Sequence, residues 1–131
     1  MVMRVLLDTH VVLWALTDPD RLSAPVRECL EDPSTALFVS AVSAWEIATK
    51  VRLGKLVGAE LIISGYRAHL VTLRVEELAI TSAHALAAGS LDVDHRDPFD
   101  RMLAAQAQIE GLTLVTSDDI FAIYEGVATL W

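Results

Sequence analysis

The sequence has 131 residues, of which 53% are hydrophobic, with a formal net charge of −8 and one cysteine. This composition predicts one compact domain over residues 1–131 and excludes a long disordered region. A single cysteine excludes an internal disulfide framework and fits a reducing compartment. The amino end reaches Asp8 before an apolar signal segment could form, and no uncharged stretch approaches the ~20 residues that span a bilayer. We therefore expect a cytoplasmic protein without membrane contact.

The negative charge argues against broad electrostatic attraction to nucleic acid or anionic lipid. A polyanionic substrate would need a local reversal of that sign. A bound divalent cation, helped by a local basic patch, would provide it.

Strands and helices alternate along the chain. Apolar runs and helical spacing predict, in order, strand 5–7, helix 10–16, helix 23–30, strand 36–40, helix 44–54, helix 61–70, strand 71–75, helix 80–88, helix 98–110, strand 112–116, short helix 120–124 and edge strand 127–131. Gly89 is expected to end the helix before it. This alternation predicts a three-layer α/β/α sandwich with a mostly parallel central sheet.

The helix at 98–110 has an explicit start. Asp97 can accept the first free backbone N–H groups as N-cap, and Pro98 then occupies the first helical position. Asp100 shares a stripe with apolar residues, namely Leu103, Ala104 and Ala107. A carboxylate aimed at a core is costly unless it is paired or binds a metal, so Asp100 needs a partner.

Four acids from distant parts of the chain can meet at one edge of this sheet. Asp8 and Asp118 follow predicted strands, and Glu46 and Asp100 lie near helix starts at the same edge. Two bare carboxylates ~4 Å apart repel by roughly 4 kcal/mol at an effective dielectric of 20. Such a cluster persists by taking up protons or by binding a cation. Oxygen ligands without thiolates favour Mg²⁺ or Mn²⁺.

Each acid also has a purely structural interpretation. Asp8 could cap the helix that follows the first strand, and Asp118 could cap the short helix at 120–124. Ser43 and Glu46 match the capping box S-x-x-E, and Glu46 could instead pair with Lys50 four residues later.

The basic and aromatic residues near these acids have two interpretations. Lys50, Arg52 and Lys55 form the densest basic run, which either guides a nucleic-acid backbone or is a solvated helix face. Arg96 and Arg101 could contact phosphate or compensate the acids. Trp14 and Trp45 are expected in a core or an interface rather than under a stacked base.

Four stretches carry a family resemblance, at residues 7–10 (LDTH), 40–47 (SAVSAWEI), 95–101 (HRDPFDR) and 114–118 (LVTSD). With these in order, the sequence resembles the PIN-domain ribonucleases, in particular the VapC-type toxins of bacterial toxin–antitoxin pairs. The resemblance implies metal binding and catalysis by Asp8, Glu46, Asp100 and Asp118. It implies auxiliary positions at Asp97, Thr9, Thr116 and Asp119, with Asp118 favoured over Asp119 as the ligand.

The resemblance also implies an activity and partners. It implies an RNA endonuclease that hydrolyses phosphodiester bonds with Mg²⁺ or Mn²⁺, a homodimer, and a cognate antitoxin whose tail covers the groove. The metal-assisted mechanism would orient a water and neutralise charge on the scissile phosphate.

Two other classes of protein also place an acid after a first buried strand. A haloacid dehalogenase-like phosphatase or phosphotransferase would use Asp8 as nucleophile but expects a second acid two residues on, where this chain has His10. A signalling receiver domain or acidic-pocket binding module would want a lysine after the last core strand, and residues 112–131 contain none.

Overall fold

The computed structural model describes residues 3–131, so Met1 and Val2 of the predicted domain lie outside the described residues. The strands are β1 (Arg4–Leu7), β2 (Ala36–Ser40), β3 (Val75–Leu78), β4 (Thr113–Val115) and β5 (Thr129–Leu130). The α-helices are α1 (Thr9–Thr17), α2 (Ala24–Glu31), α3 (Ala41–Arg52), α4 (Glu60–Ser64), α5 (Tyr66–Leu73), α6 (Ser82–Ser90) and α7 (Pro98–Glu110). Two 3₁₀ helices cover Pro19–Arg21 and Asp119–Ile123. In the described part of the chain, every helix is too short or too polar to span a membrane.

The strands form one sheet in the order β3-β2-β1-β4-β5, and its four strand pairings are all parallel. The predicted fold class is therefore confirmed. From β1 the chain first adds β2 and β3 on one side, and only later adds β4 and β5 on the other. The order thus reverses between β1 and β4. In open α/β sheets, ligands bind beyond the carboxyl ends of the strands at such a reversal.

Both faces of the central strand β1 are buried, as parallel sheets require. Val5 and Leu7 face one core, together with residues of α1, α2 and α5 such as Val11, Val26 and Leu70. Leu6 faces the other core, with residues such as Leu103, Leu114 and Phe121. Burying each of these side chains contributes about 1.5–3 kcal/mol. The carboxyl end of β1, where Asp8 follows, is therefore held from both sides.

The prediction for residues 61–75 is wrong in its division of helix and strand. The predicted helix is interrupted at Gly65, which separates α4 from α5. The predicted strand 71–75 is instead the end of α5, followed by Arg74 in the left-handed conformation (φ 57°) and by β3 from Val75. The helical spacing of Tyr66, Leu70 and Leu73 packs this segment against the core. Packing over that stripe outweighs the local alternation.

Gly89 does not end the helix before it, because α6 continues to Ser90. A helix tolerates an interior glycine at a cost of about 1 kcal/mol, and packing of α6 on α7 offsets this. The predicted short helix near 120 is the second 3₁₀ helix. The last predicted strand is present as the shorter edge strand β5.

Candidate active site

Asp8 lies at the N-cap position of α1 but makes no capping hydrogen bond with its side chain. Its Oδ2 atom instead accepts a hydrogen bond of 2.8 Å from the hydroxyl of Thr116, which follows β4. The carboxyl group is buried, and this burial is the main cause that raises its pKa. The negative charge of Glu46 raises the pKa of Asp8 further. The simple capping interpretation of Asp8 therefore does not describe its side chain.

Glu46 projects from the second turn of α3 and is 4% exposed. The predicted capping box is wrong: Ser40 caps this helix by accepting from the Val42 N–H. The Ser43 hydroxyl instead bonds the buried Thr9 hydroxyl at 2.8 Å. The predicted pairing with the residue four positions later is present, since Lys50 Nζ donates to Glu46 Oε2. Glu46 Oε1 is buried and has no hydrogen-bond partner among residues 3–131.

The start of α7 matches its prediction. Asp97 accepts from the backbone N–H groups of Phe99 and Asp100, and Pro98 occupies the first turn. The partner that Asp100 needs is His95, whose Nε2 donates to Asp100 Oδ2 at 2.8 Å. Burial raises the pKa of Asp100 to about 6, and the charges of Asp97, Asp8 and Glu46 add to the effect.

Asp118 is the most open of the four predicted acids. Its Oδ1 accepts from the Ile120 N–H at 3.0 Å, so the structural interpretation as a helix cap holds for this side chain. Its own N–H donates to the Thr116 hydroxyl at 3.0 Å. Asp118 and the exposed Asp119 line a cavity of about 450 Å³ that Asp8 also lines.

The fold thus brings Asp8, Glu46 and Asp100 close together: the charge of Glu46 raises the pKa of Asp8, and the charges of Asp8 and Glu46 raise the pKa of Asp100. Asp8 and Asp118 line the same cavity. Within the described residues, one ligand atom from each of His95, Asp97 and Asp100 lies within 4.8 Å of the others. The histidine was not predicted, although it begins the stretch HRDPFD; its five-residue spacing from Asp100 matches no regular helical or strand neighbour. A cluster of this composition can bind a hard divalent cation.

The five basic candidates divide by what their side chains contact. Lys50 forms an ion pair with Glu46. The guanidinium of Arg101 donates hydrogen bonds to backbone carbonyls in the segment 88–95. Arg52, Lys55 and Arg96 are exposed.

The fold is an open parallel α/β sheet with acids gathered beside the reversal of its strand order, which places the protein among α/β proteins with a binding site at that edge. The chain belongs to the PIN domain family, whose model matches residues 5–127. Ribonuclease VapC22 from Mycobacterium tuberculosis is 32% identical over 115 residues, which cover 87% of this chain and 86% of that protein. The resemblance seen in the sequence is thereby confirmed.

Solved structures share the fold. The chain is similar to a protein in the DNA-bound VapBC structure from Salmonella typhimurium (TM-score 0.74, 20% identity, 99% of this chain and 98% of that one). It is also similar to a chain of VapBC2 from Rickettsia felis bound to a promoter DNA fragment (TM-score 0.72, 18% identity, 98% of each chain). A third likeness is to VapBC-1 from nontypeable Haemophilus influenzae (TM-score 0.67, 18% identity, 98% of this chain and 97% of that one).

Proposed function

We propose that this protein is a metal-dependent RNA endonuclease that acts as the toxin of a toxin–antitoxin pair. The observation that carries the proposal is the set of Asp8, Glu46 and Asp100 at the reversal of the strand order. Burial, and then neighbouring carboxylate charges that include Glu46, raise the pKa of Asp8 and Asp100, and within residues 3–131 Glu46 Oε1 is buried without a partner. A cation would relieve both costs at once.

The residues present fit a divalent metal ion. Asp8, Glu46 and Asp100 would hold it, with Asp118 as a further ligand from the rim of the cavity. Carboxylate oxygens without thiolates suit Mg²⁺ or Mn²⁺. When bound, the ion would lower the pKa of a water and neutralise charge on the scissile phosphate.

The protein's own residues prepare these carboxylates for that role. One oxygen of each is engaged by a side-chain donor: Asp8 by Thr116, Glu46 by Lys50 and Asp100 by His95. Within residues 3–131, no other side chain engages the second oxygen of these three groups. Partners of this kind around a ligand fix its orientation and tune its basicity. Asp97 acts as an auxiliary residue by capping the helix that carries Asp100.

The substrate and partners follow from the relatives. The curated relative is a ribonuclease, and the structural neighbours are VapBC assemblies, which supports an RNA substrate and a cognate antitoxin. Exposed Arg52, Lys55 and Arg96 would guide the RNA backbone, whereas Arg101 has its donors occupied. We also propose a homodimer and a single domain over residues 1–131. Membership of the PIN family disfavours the phosphatase and receiver alternatives.

The test is cleavage of end-labelled single-stranded RNA by the purified protein with Mg²⁺, Mn²⁺ or EDTA. We expect cleavage with either ion, none with EDTA, and a loss of at least a hundredfold in Asp8→Asn and Asp100→Asn. Glu28→Gln, which removes an exposed acid on α2, is the matched control and should cut like the wild type. Circular dichroism verifies that each variant is folded.

Cleavage that survives EDTA, or that survives the loss of Asp8 and Asp100 in folded protein, would contradict the metal-dependent mechanism. Hydrolysis of a small phosphate ester without RNA cleavage would support the phosphatase instead. Sedimentation that shows a monomer at micromolar concentration would contradict the homodimer.

A further inference from the structure

Trp45, for which the sequence predicts a core or interface position, is an exposed aromatic side chain next to Glu46 in the chain. It precedes Glu46 on α3, yet Trp45 is 59% exposed whereas Glu46 is 4% exposed. Its ring packs against Phe99 of α7 in a T-shaped arrangement, with the ring centroids 4.8 Å apart. Phe99 in turn precedes Asp100. Each ring of this aromatic pair thus immediately precedes a proposed metal ligand in the chain, Trp45 before Glu46 on α3 and Phe99 before Asp100 on α7.

An apolar cavity of about 210 Å³ opens beside this tryptophan. Its apolar lining includes the side chains of Val42, Ile80, Pro98 and Met102. Arg96 also lines the cavity, and it is exposed and forms no ion pair within residues 3–131. The second arginine of the lining, Arg101, has its donors taken by backbone carbonyls. The cavity thus combines an apolar wall, an aromatic face and one free positive charge.

We propose that Trp45 and this cavity bind an unpaired nucleobase of the RNA, next to the bond that is cut, and so determine base preference at that position. This inference rests on the proposed function. RNA-binding proteins hold unpaired bases by stacking them on aromatic side chains. The apolar wall accepts a base face but offers few groups for its polar edges, and Arg96 complements the adjoining phosphate. The preference is therefore graded by stacking strength rather than by hydrogen-bond readout.

The occupant is RNA rather than a second copy of this chain. A second copy seated on Trp45 and this cavity would also cover Phe99 and Arg96, which adjoin Asp100, His95 and Asp97 in the chain, and would restrict access of a substrate to those groups. The free positive charge of Arg96 also complements a phosphate of the RNA backbone.

The first experiment compares the RNA ends made by four proteins: wild type, Trp45→Ala, Trp45→Phe and Leu86→Ala. Leu86 is an exposed apolar residue on α6 and gives the matched control. The substrate is a synthetic single-stranded RNA pool of random sequence, cut with Mn²⁺ and sequenced at its new ends. We expect Trp45→Ala to raise KM by about fivefold to about a hundredfold and to flatten base frequencies at one position beside the cut. Trp45→Phe should retain that preference, and Leu86→Ala should match the wild type.

A second experiment measures binding before cleavage. A Trp14→Phe, Trp131→Phe protein has Trp45 as its one tryptophan. Mixed rapidly with the same RNA pool in the presence of Mn²⁺ and read before cleavage proceeds, its fluorescence should be quenched as bases stack on Trp45. Absence of quenching overturns the inference whether or not the protein cuts RNA. Cleavage by the wild type with unchanged KM and base frequencies in Trp45→Ala overturns it while the proposed function stands. A dimer that dissociates in Trp45→Ala with unchanged base frequencies also overturns it, in favour of a second copy on this surface.

Discussion

The Thr116 hydroxyl donates a 2.8 Å hydrogen bond to the carboxylate of Asp8, across a separation of 108 positions in the chain. The hydroxyl oxygen of Thr116 also accepts a hydrogen bond of 3.0 Å from the backbone N–H of Asp118. One small side chain thus joins the ends of β1 and β4 at the place where the strand order reverses. The hydrogen bond from Thr116 lowers the pKa of Asp8 and so stabilises its charged form, which burial and the charge of Glu46 disfavour.

Replacing Thr116 with valine should weaken both folding and metal binding. Thr116→Val keeps the shape but removes both hydrogen bonds, so we expect a loss of about 1–3 kcal/mol in the free energy of unfolding. The pKa of Asp8 should rise further, which weakens Mn²⁺ binding because the ion must displace a proton. Urea unfolding and isothermal titration calorimetry measure the two effects. Thr116→Ser is the control; equal Mn²⁺ affinity in the serine and valine variants would contradict the role of the hydroxyl.

The metal-free protein should lose stability as pH rises from about 4 to about 7. The pKa of Asp100 is raised from 3.8 to about 6 in the folded protein, chiefly by burial, so folding favours its protonated form. That contribution is complete below the unfolded pKa and is lost as pH rises through the folded one. A shift of this size corresponds to roughly 3 kcal/mol at most.

The variant Asp100→Asn tests this pH dependence. It should reduce the change in metal-free stability over this pH range, leaving the part due to the raised pKa of Asp8, and make the protein more stable than the wild type at pH 7.5. Urea unfolding in EDTA at pH 4.5, 6 and 7.5 measures both. The control is the wild type with Mn²⁺, which should recover stability at pH 7.5. Parallel pH profiles for the wild type and Asp100→Asn would show that Asp100 does not carry the effect.

Lys50 should stabilise the metal-free protein through Glu46. Lys50→Met leaves the buried Glu46 carboxylate without its donor, and the lysine side chain is 26% exposed. We expect a loss of about 1–3 kcal/mol, less than for a fully buried pair. Mn²⁺ should reduce this loss because the ion replaces the missing positive charge. Thermal unfolding with and without Mn²⁺ measures it, against Arg52→Met on the exposed end of α3; a loss that Mn²⁺ leaves unchanged would be evidence against a shared site.

Arg101 should hold the loop that carries His95. Its guanidinium donates to five backbone carbonyls, those of Ala88, Gly89, Leu91, Val93 and His95. A lysine at this position lacks the planar fork and cannot replace these bonds. Arg101→Lys should therefore lose about 2–4 kcal/mol of stability.

The effect of Arg101→Lys should also reach the active site. Because His95 orients Asp100, we expect cleavage to fall at least tenfold and amide hydrogen exchange in 91–96 to accelerate. The exposed Arg67→Lys on α5 is the control. Wild-type exchange in this loop would refute the anchoring role.

Local chemistry accounts for the parts of the site that could be predicted from sequence. An apolar run that ends at Asp8, a proline that follows Asp97, and the spacing of Glu46 and Lys50 each depend on neighbours within a few residues. The predicted start of α7 and the predicted pair on α3 are accordingly present. The parallel α/β arrangement also followed, because alternating strands and helices allow few other layers.

Other features depend on groups far apart in the chain. Residues 71–73 are helical because Leu70 and its neighbours pack on the core, although their local pattern alternates like a strand. Ser43 matched a capping box, yet the fold turns it toward Thr9 and leaves capping to Ser40. The contact of Trp45 with Phe99 likewise arises from the packing of α3 against α7.

The sequence by itself determined the family, the order of elements and which acids stand where strands and helices meet, because these are properties of short segments. Only the tertiary structure decided which oxygen of each acid accepts a hydrogen bond and that His95 is the partner of Asp100. It also decided that Arg101 donates its hydrogen bonds to backbone carbonyls. The reason is that side-chain hydrogen bonds and burial depend on distances between elements, which the sheet sets when it brings β1 beside β4.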